Sequence, residues 1–191
     1  RVCSILVTGR TESGESPKSP LGSPQGTIDL TDRVAIVTGA SRGIGKAIAL
    51  ALADAGCHLA LGAKTVKPHR KLPGTLPEVA AAVEARGRRA LPIATDVRDP
   101  EAIHRLVEQT ASTFGRIDIL VNNAGAAWWY PLEETPTRRF DLVMEVNSRG
   151  PFLASQAVLP FMRKGGYGHI VNMSPPIRAA MTGGRVAYMM S

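Results

Sequence analysis

The sequence predicts an α/β fold, a doubly wound parallel sheet, and three observations carry that expectation. Short apolar runs alternate with helical patterns along most of the chain. The first strong run, Val34 to Val37, stops at a glycine cluster from which a helical pattern opens at once. The residues able to do chemistry gather where later apolar runs end, which is where parallel sheets keep their sites. Strands separated by helices run parallel with right-handed crossovers.

Residues 1–8 are a short apolar run closed by Thr8-Gly9, followed from Arg10 to Gly26 by a segment rich in Ser, Pro, Gly and Glu. That composition cannot bury a core, so residues 1–29 are expected to form a disordered leader, and Thr8-Gly9 is a decoy. The folded domain is expected over 30–191. Its first strand turns at Gly39, and a helix runs from Gly43 to about Ala55, with Ile48, Leu52 and Ala55 on one face. Gly56 ends it. Cys57 to Ala63 reads as the second strand, and a proline-rich loop, Lys67 to Gly74, delays the next helix, Leu76 to Arg86. Arg88 to Thr95 is the third strand. Asp99-Pro100 then reads as an N-cap with proline in the first turn of a helix to Phe114. Ile117 to Val121 is the fourth strand, and one long helix is expected from Thr137 to Lys164. His169 to Met173 is the fifth strand, ending at Ser174.

Composition bounds the function. The chain has 191 residues, 44% of them hydrophobic, enough for one domain with a sizeable core. Its 23 basic and 16 acidic side chains give +7, but they are spread along the sequence. The one short basic cluster, Lys64, Lys67, Arg70 and Lys71, lacks interleaved aromatics, so nucleic acid is not an expected partner. Cys3 and Cys57 allow neither a disulfide framework nor a cysteine zinc site. His58, His69, His104 and His169 have no ligand spacing, and no metal is expected. No apolar run approaches the ~20 residues of a membrane span. The sequence begins at Arg1 without a signal-peptide pattern.

The glycine cluster Gly39-Ala40-Ser41-Arg42-Gly43-Ile44-Gly45 sits between a strand and a helix, the context a dinucleotide site requires. Gly39 makes the sharp turn. Gly43 and Gly45 are expected to remove side chains that would block a pyrophosphate, and the helix points its unpaired N–H groups at that anion. Dinucleotide folds place an acid at the end of the second strand to bind the ribose hydroxyls of NAD. Ala63 stands there, and Lys64 and Arg42 supply cations that would attract a 2′-phosphate, so NADP (NADPH) is favoured over NAD. Solvated surface charge is the simpler reading of Lys64.

Thr38-Gly39-Ala40-Ser41-Arg42-Gly43-Ile44-Gly45 resembles the cofactor loop of the short-chain dehydrogenases/reductases, and four further motifs agree in order. The resemblance covers about residues 31–191. It implies a Rossmann-type sheet in the order 3-2-1-4-5, lacking the family's C-terminal strands. It also implies that Asp96-Val97 hold the adenine and that Asn122-Asn123-Ala124-Gly125 serve neighbouring strand backbones and the cofactor ribose. The alternative for Asp96 is a turn or capping carboxylate. Asn147, Ser174 and Tyr188 resemble three members of the family's Asn-Ser-Tyr-Lys set. Tyr188 would exchange a proton with the substrate oxygen, Ser174 would hydrogen-bond that oxygen, and Asn147 would hold a water. The lysine would fall four residues after Tyr188, beyond Ser191, so the chain as it stands is expected to be inactive.

Residues 63–69, 71–75 and Ser174-Pro175-Pro176 resemble a narrower group within the family. The implied partner is a small carbonyl or alcohol, with Trp128, Trp129 and Tyr130 either lining an apolar pocket or packing. The implied assembly is a homo-oligomer, paired through the helices of Asn147 and Tyr188. Compartment stays open among cytoplasm, peroxisome and mitochondrion. The competing readings are a non-catalytic dinucleotide-binding domain, a basic module binding an anionic surface through Lys64 to Lys71, and an inactive fragment whose fifth strand would be an open edge.

Overall fold

The computed structural model describes residues 2–8, 28–68, 73–174 and 186–191. Its elements are β1 (Val2–Thr8), β2 (Val34–Thr38), α1 (Gly43–Asp54), β3 (His58–Ala63), α2 (Leu76–Glu84), β4 (Ala90–Ala94), α3 (Pro100–Phe114), β5 (Ile119–Asn122), α4 (Thr137–Met144), α5 (Gly150–Lys164), β6 (Tyr167–Met173) and α6 (Val186–Met190). A short 3-10 turn, Leu132–Glu134, precedes α4, and a π-helical turn, Glu145–Arg149, joins α4 to α5. The sheet runs β1-β6-β5-β2-β3-β4. All pairings are parallel except β1 with β6. The five parallel strands reproduce the predicted order 3-2-1-4-5, a Rossmann-type sheet.

The alternation along β2 explains both faces. Ala35 and Val37 pack with Leu59, Leu61, Val79 and Val83 beneath α1 and α2, while Ile36 packs with Leu120, Ile103, Leu106 and Val158 beneath α3 and α5. A strand covered on both faces has no polar side, so β2 reads as a continuous apolar run. Helix starts follow local chemistry. The Asp99 carboxylate accepts from the Glu101 N–H at 3.0 Å with Pro100 opening α3, and Thr75 Oγ1 accepts from the Glu78 N–H at 3.3 Å to open α2. Gly115 closes α3 in the left-handed region at φ 79°.

Two expectations are corrected. Val2–Thr8, assigned to a disordered leader, is a strand paired residue for residue from Val2↔Met173 to Thr8↔Tyr167. The outer edge of β6 is therefore not open; its backbone groups would otherwise face a partner-free side, and an apolar, β-branched segment satisfies them. Gly9 and the Ser/Pro-rich stretch up to Thr27 lie outside the described residues, as do His69 to Leu72 and Pro175 to Arg185. The single helix expected over 137–164 is interrupted by the π-turn, which holds Asn147.

Beneath the opposite end of the sheet, Asp118 is buried and accepts from the Val34 N–H, from Arg33 Nη1 at 2.8 Å, and from Arg116 Nε and Nη2 at 2.7 and 2.6 Å. Arg33 also lies over the Tyr167 ring, 4.4 Å from its centroid. This cluster ties the entrances of β2, β5 and β6 together, away from the strand ends where chemistry collects.

Candidate functional site

The chain fills one side of β2 with β3 and β4, then crosses to the other side with β5 and β6. β2 and β5 are thus neighbours whose connections depart in opposite directions, and a crevice opens beyond their C-terminal ends. Thr38, the last residue of β2, ties that crevice together. Its Oγ1 accepts from the N–H groups of Asn123 (3.0 Å) and Ala124 (3.1 Å) and donates to the Val121 carbonyl at 3.3 Å. In return, Asn123 Nδ2 donates to the carbonyls of Thr38 and Gly39 at 3.0 and 3.3 Å. Asn122 turns the other way, to Asn172 Oδ1 on β6 (2.8 Å) and Ser155 Oγ on α5 (3.3 Å). The expectation that the paired asparagines bind neighbouring backbone is met by Asn123. Sequence reasoning passed over Thr38, whose only local signal is a hydroxyl ending an otherwise apolar strand.

The glycines divide the work differently from expectation. A Cβ on Gly39 (φ 67°) would lie 2.9 Å from Ala124 Cα and 2.9 Å from Asn123 Nδ2, so this glycine lets the two loops touch. Gly43 (φ 55°) faces open space, with nothing within 4 Å of such an atom. Gly45 faces inward, where a Cβ would overlap the Gly39 carbonyl and Asn123 Nδ2. Gly43 leaves room for a ligand, whereas Gly45 serves protein packing and not pyrophosphate clearance. Gly45→Ala is accordingly expected to lose about 2 kcal/mol of stability by overpacking, whereas Gly43→Ala costs about 1 kcal/mol for its left-handed backbone. Denaturant melts of both variants check this; equal losses would show that Gly45 is not packed as described.

The opening of α1 fits an anion. Arg42 occupies its N-cap position with no side-chain capping bond, so the first-turn N–H groups point outward beside the open face of Gly43. Ser41 is buried and Ile44 is exposed at the rim. Arg42 Nη2 donates to Thr65 Oγ1 at 2.6 Å. No carboxylate competes at Ala63, which is buried. Lys64, largely exposed, lies 3.7 Å from Asp96 Oδ2.

Asp96 is already engaged. Arg98 grips both carboxylate oxygens, at 2.6 to 3.1 Å, and its backbone N–H donates to Oδ1 at 3.1 Å. Those hydrogen bonds, opposed by partial burial and helped by the Lys64 charge, bring the Asp96 carboxyl down to about 2. It stays ionised near neutrality, an acceptor whose orientation is fixed. Val97 packs its side chain against Gly150 at the start of α5, with 3.1 Å from Val97 Cβ to the place a Cβ on Gly150 would take.

Asn147 joins two segments that the sequence leaves far apart. Its Oδ1 accepts from the Ala126 N–H at 2.8 Å, and its Nδ2 donates to the Ala126 carbonyl and to Ser191 Oγ, both at 2.9 Å. Ser191 Oγ donates to the Tyr188 carbonyl at 3.0 Å, and Ser148 Oγ donates to the Ser191 carbonyl at 3.1 Å. The π-turn thus holds the loop after Gly125 against the end of α6. Gly125 lies close to the same amide; a Cβ there would be 3.8 Å from Asn147 Oδ1. Such widened turns put a side chain where a regular helix would not, and they recur at functional sites. Tyr188 is half-buried, with the Trp129 ring edge-on at 5.0 Å. Trp128 stacks on Tyr130 at 4.6 Å and carries Arg139 over its face, so these two aromatics pack on each other. Ser174 follows β6, exposed, beyond the Asn122–Asn172 contact. Pro175 and Pro176 lie outside the described residues.

Among the described residues no group of three or more His, Cys, Asp or Glu could hold a metal, and no helix is long and apolar enough to cross a membrane.

Comparison with known proteins agrees with this geometry. A family model for short chain dehydrogenases matches residues 33–191. Hydroxysteroid dehydrogenase-like protein 2 of Homo sapiens is 51% identical over 141 residues, 74% of this chain and 34% of that protein. The chain therefore spans about a third of the length of the curated relatives it matches. A short chain dehydrogenase of Mycobacterium thermoresistibile is 43% identical with a TM-score of 0.78, covering 85% of this chain and 58% of that one. A metagenomic short-chain oxidoreductase in complex with NADP (33%, TM-score 0.76, 86% and 71% covered) and an NAD+-bound xylitol dehydrogenase (32%, 0.75, 84% and 59%) superpose as well.

Proposed function

The chain belongs to the short-chain dehydrogenases, a family of NAD(P)-dependent oxidoreductases, and from that premise we propose that it is the cofactor-binding and catalytic part of an NADP-dependent carbonyl/alcohol oxidoreductase. The observation that carries the reading is the Asn147 amide, which gathers the loop after Gly125 and the end of α6 that bears Tyr188. This link through Ser191 to the Tyr188 carbonyl supports reading Tyr188 as part of the site.

The residues at the first turn of α1, with Gly43 open beside them, would hold the pyrophosphate, and Arg42 and Lys64 would meet a 2′-phosphate. A nicotinamide bound there would supply or accept the hydride. Tyr188 gives a proton to the substrate oxygen during reduction and takes one back during alcohol oxidation. A phenol has a pKa of ~10, so it needs a nearby cation to act near neutrality, the role the family gives to its lysine. Ser174 and Tyr188 together donate hydrogen bonds to the oxygen as charge develops on it. The identified human relative is named for hydroxysteroids, and an apolar carbonyl substrate is consistent with Trp129 beside Tyr188.

Fluorescence titration of the intact protein tests the cofactor, with NADPH expected to bind about tenfold more tightly than NADH. Oxidation of NADPH by ketones of increasing ring size tests the reaction. Unchanged turnover in Tyr188→Phe, with NADPH still bound, would overturn the acid/base role.

A further inference from the structure

Arg42 stands at the start of α1 with its guanidinium already engaged by two protein partners, Ser41 Oγ at 3.5 Å and, much more closely, Thr65 Oγ1, and the closer partner is itself fixed. Arg42 Nη2 donates to Thr65 Oγ1 at 2.6 Å, a short bond from a charged donor. Thr65 is held by its backbone, because its carbonyl accepts from the Leu76 N–H at 3.0 Å where α2 begins. Across the loop, Gly74 (φ 93°) touches the other side of the same arginine: a Cβ there would lie 2.5 Å from the Ser41 carbonyl oxygen and 3.3 Å from Arg42 Cβ. Thr75 beside it is buried and caps α2. The segment after β3 therefore closes on the glycine loop at two points, one gripping the guanidinium and one backing its stem.

Resting on the NADP reading, we propose that Thr65 and Gly74 are positioning residues for cofactor choice, which hold Arg42 ready for a 2′-phosphate. A free arginine must give up its rotamer freedom when it orders against an anion. An arginine braced by Thr65 has surrendered much of that beforehand, so more of the attraction appears as affinity. The Thr65 brace takes one Nη2 N–H and the Ser41 contact takes Nε–H, which leaves the remaining N–H groups for the phosphate. A dinucleotide without the 2′-phosphate makes no use of the arrangement, which is why the effect falls on NADPH and spares NADH.

The test is a set of NADPH and NADH titrations on the intact protein, with adenosine 2′,5′-bisphosphate as a probe of this end of the site alone. Thr65→Val, which keeps the shape and deletes the hydroxyl, is expected to weaken NADPH and the bisphosphate about tenfold and to leave NADH within about twofold. Thr65→Ser restores the hydroxyl and is expected to recover most of the loss. In an Arg42→Ala background, Thr65→Val should have no further effect, since Thr65 acts through the arginine. A tenfold loss that persists in that background would mean Thr65 binds the phosphate directly and would overturn positioning. Unchanged NADPH affinity in Thr65→Val would overturn it too. Equal affinities for NADPH and NADH in the unaltered protein would instead overturn the cofactor reading, and this inference with it.

Discussion

Thr38→Val is expected to lose about 3 kcal/mol of stability. The substitution keeps size and β-branching, so only the hydroxyl is tested. That hydroxyl is the acceptor for two backbone N–H groups, those of Asn123 and Ala124, and the donor to the Val121 carbonyl, in a place where Thr38 is 2% exposed. Valine strands these groups away from water, at about 1 to 3 kcal/mol for each buried partner left unsatisfied. For a domain of this size a loss of about 3 kcal/mol lowers the melting temperature by roughly 6 to 12 °C. The functional consequence follows from position, because the same bonds hold the Asn123–Gly125 turn against Gly39 across the crevice. Dinucleotide affinity should fall along with stability, and Thr38→Ser, which loses one methyl but keeps the network, should restore most of both. A Thr38→Val protein that melts within 2 °C of the parent would show the network to be dispensable.

Asp118→Ala is expected to cost a similar amount, about 3 kcal/mol, by dissolving the cluster at the opposite end of the sheet. Burial by itself would raise the Asp118 carboxyl. The Arg116 hydrogen bonds, the Val34 N–H and Arg33 outweigh burial and hold it below its ordinary value of 3.8. The sign of the pH dependence follows. With the folded value lower than the unfolded one, the stabilisation is fully present above the unfolded value and is lost as pH falls through the folded value. Urea melts of the parent should therefore weaken below about pH 4, with Asp96 contributing in the same direction as pH approaches about 2. Asp118→Asn keeps an acceptor for the Val34 N–H and loses the charge. It should be less damaging than alanine and should show a shallower acid limb. An acid limb as steep as the parent's would place the titrating group elsewhere.

Both residues illustrate how differently local and long-range information were written into the chain. Fold class and helix starts were legible, since each depends on neighbours in sequence: apolar runs, the Asp99-Pro100 cap, and glycine between strand and helix; the strand order came with the family resemblance. The family was legible for the same reason, because its motifs are contiguous. The candidate site residues all lie in the described structure, yet, Asn123 apart, their contacts were not readable from the sequence. Gly43 and Gly45 look alike in the sequence; only the approach of the Asn123 loop, nearly eighty residues on, separates an open face from a packed one. Asp96 read either as an adenine partner or as a turn carboxylate, and only the structure shows the turn contact, with Arg98 gripping it; Lys64 stays largely exposed, 3.7 Å from Asp96.

The same limit explains the corrections. A helical period carries through Thr137 to Lys164 without marking the π-turn, because widening one turn is decided by what Asn147 can reach, here Ala126 and Ser191. Val2–Thr8 has the composition of a strand, but a lone strand has no reason to form until an edge is available, and that edge is β6, some 165 residues later. The sequence by itself determined the parallel sheet, the glycine turn and the residue types able to do dinucleotide chemistry, since periodicity and turn chemistry act over a few residues. Tertiary structure alone decided which glycine faces open space, which cations are braced and that β1 closes the sheet, because each depends on groups that only folding brings together.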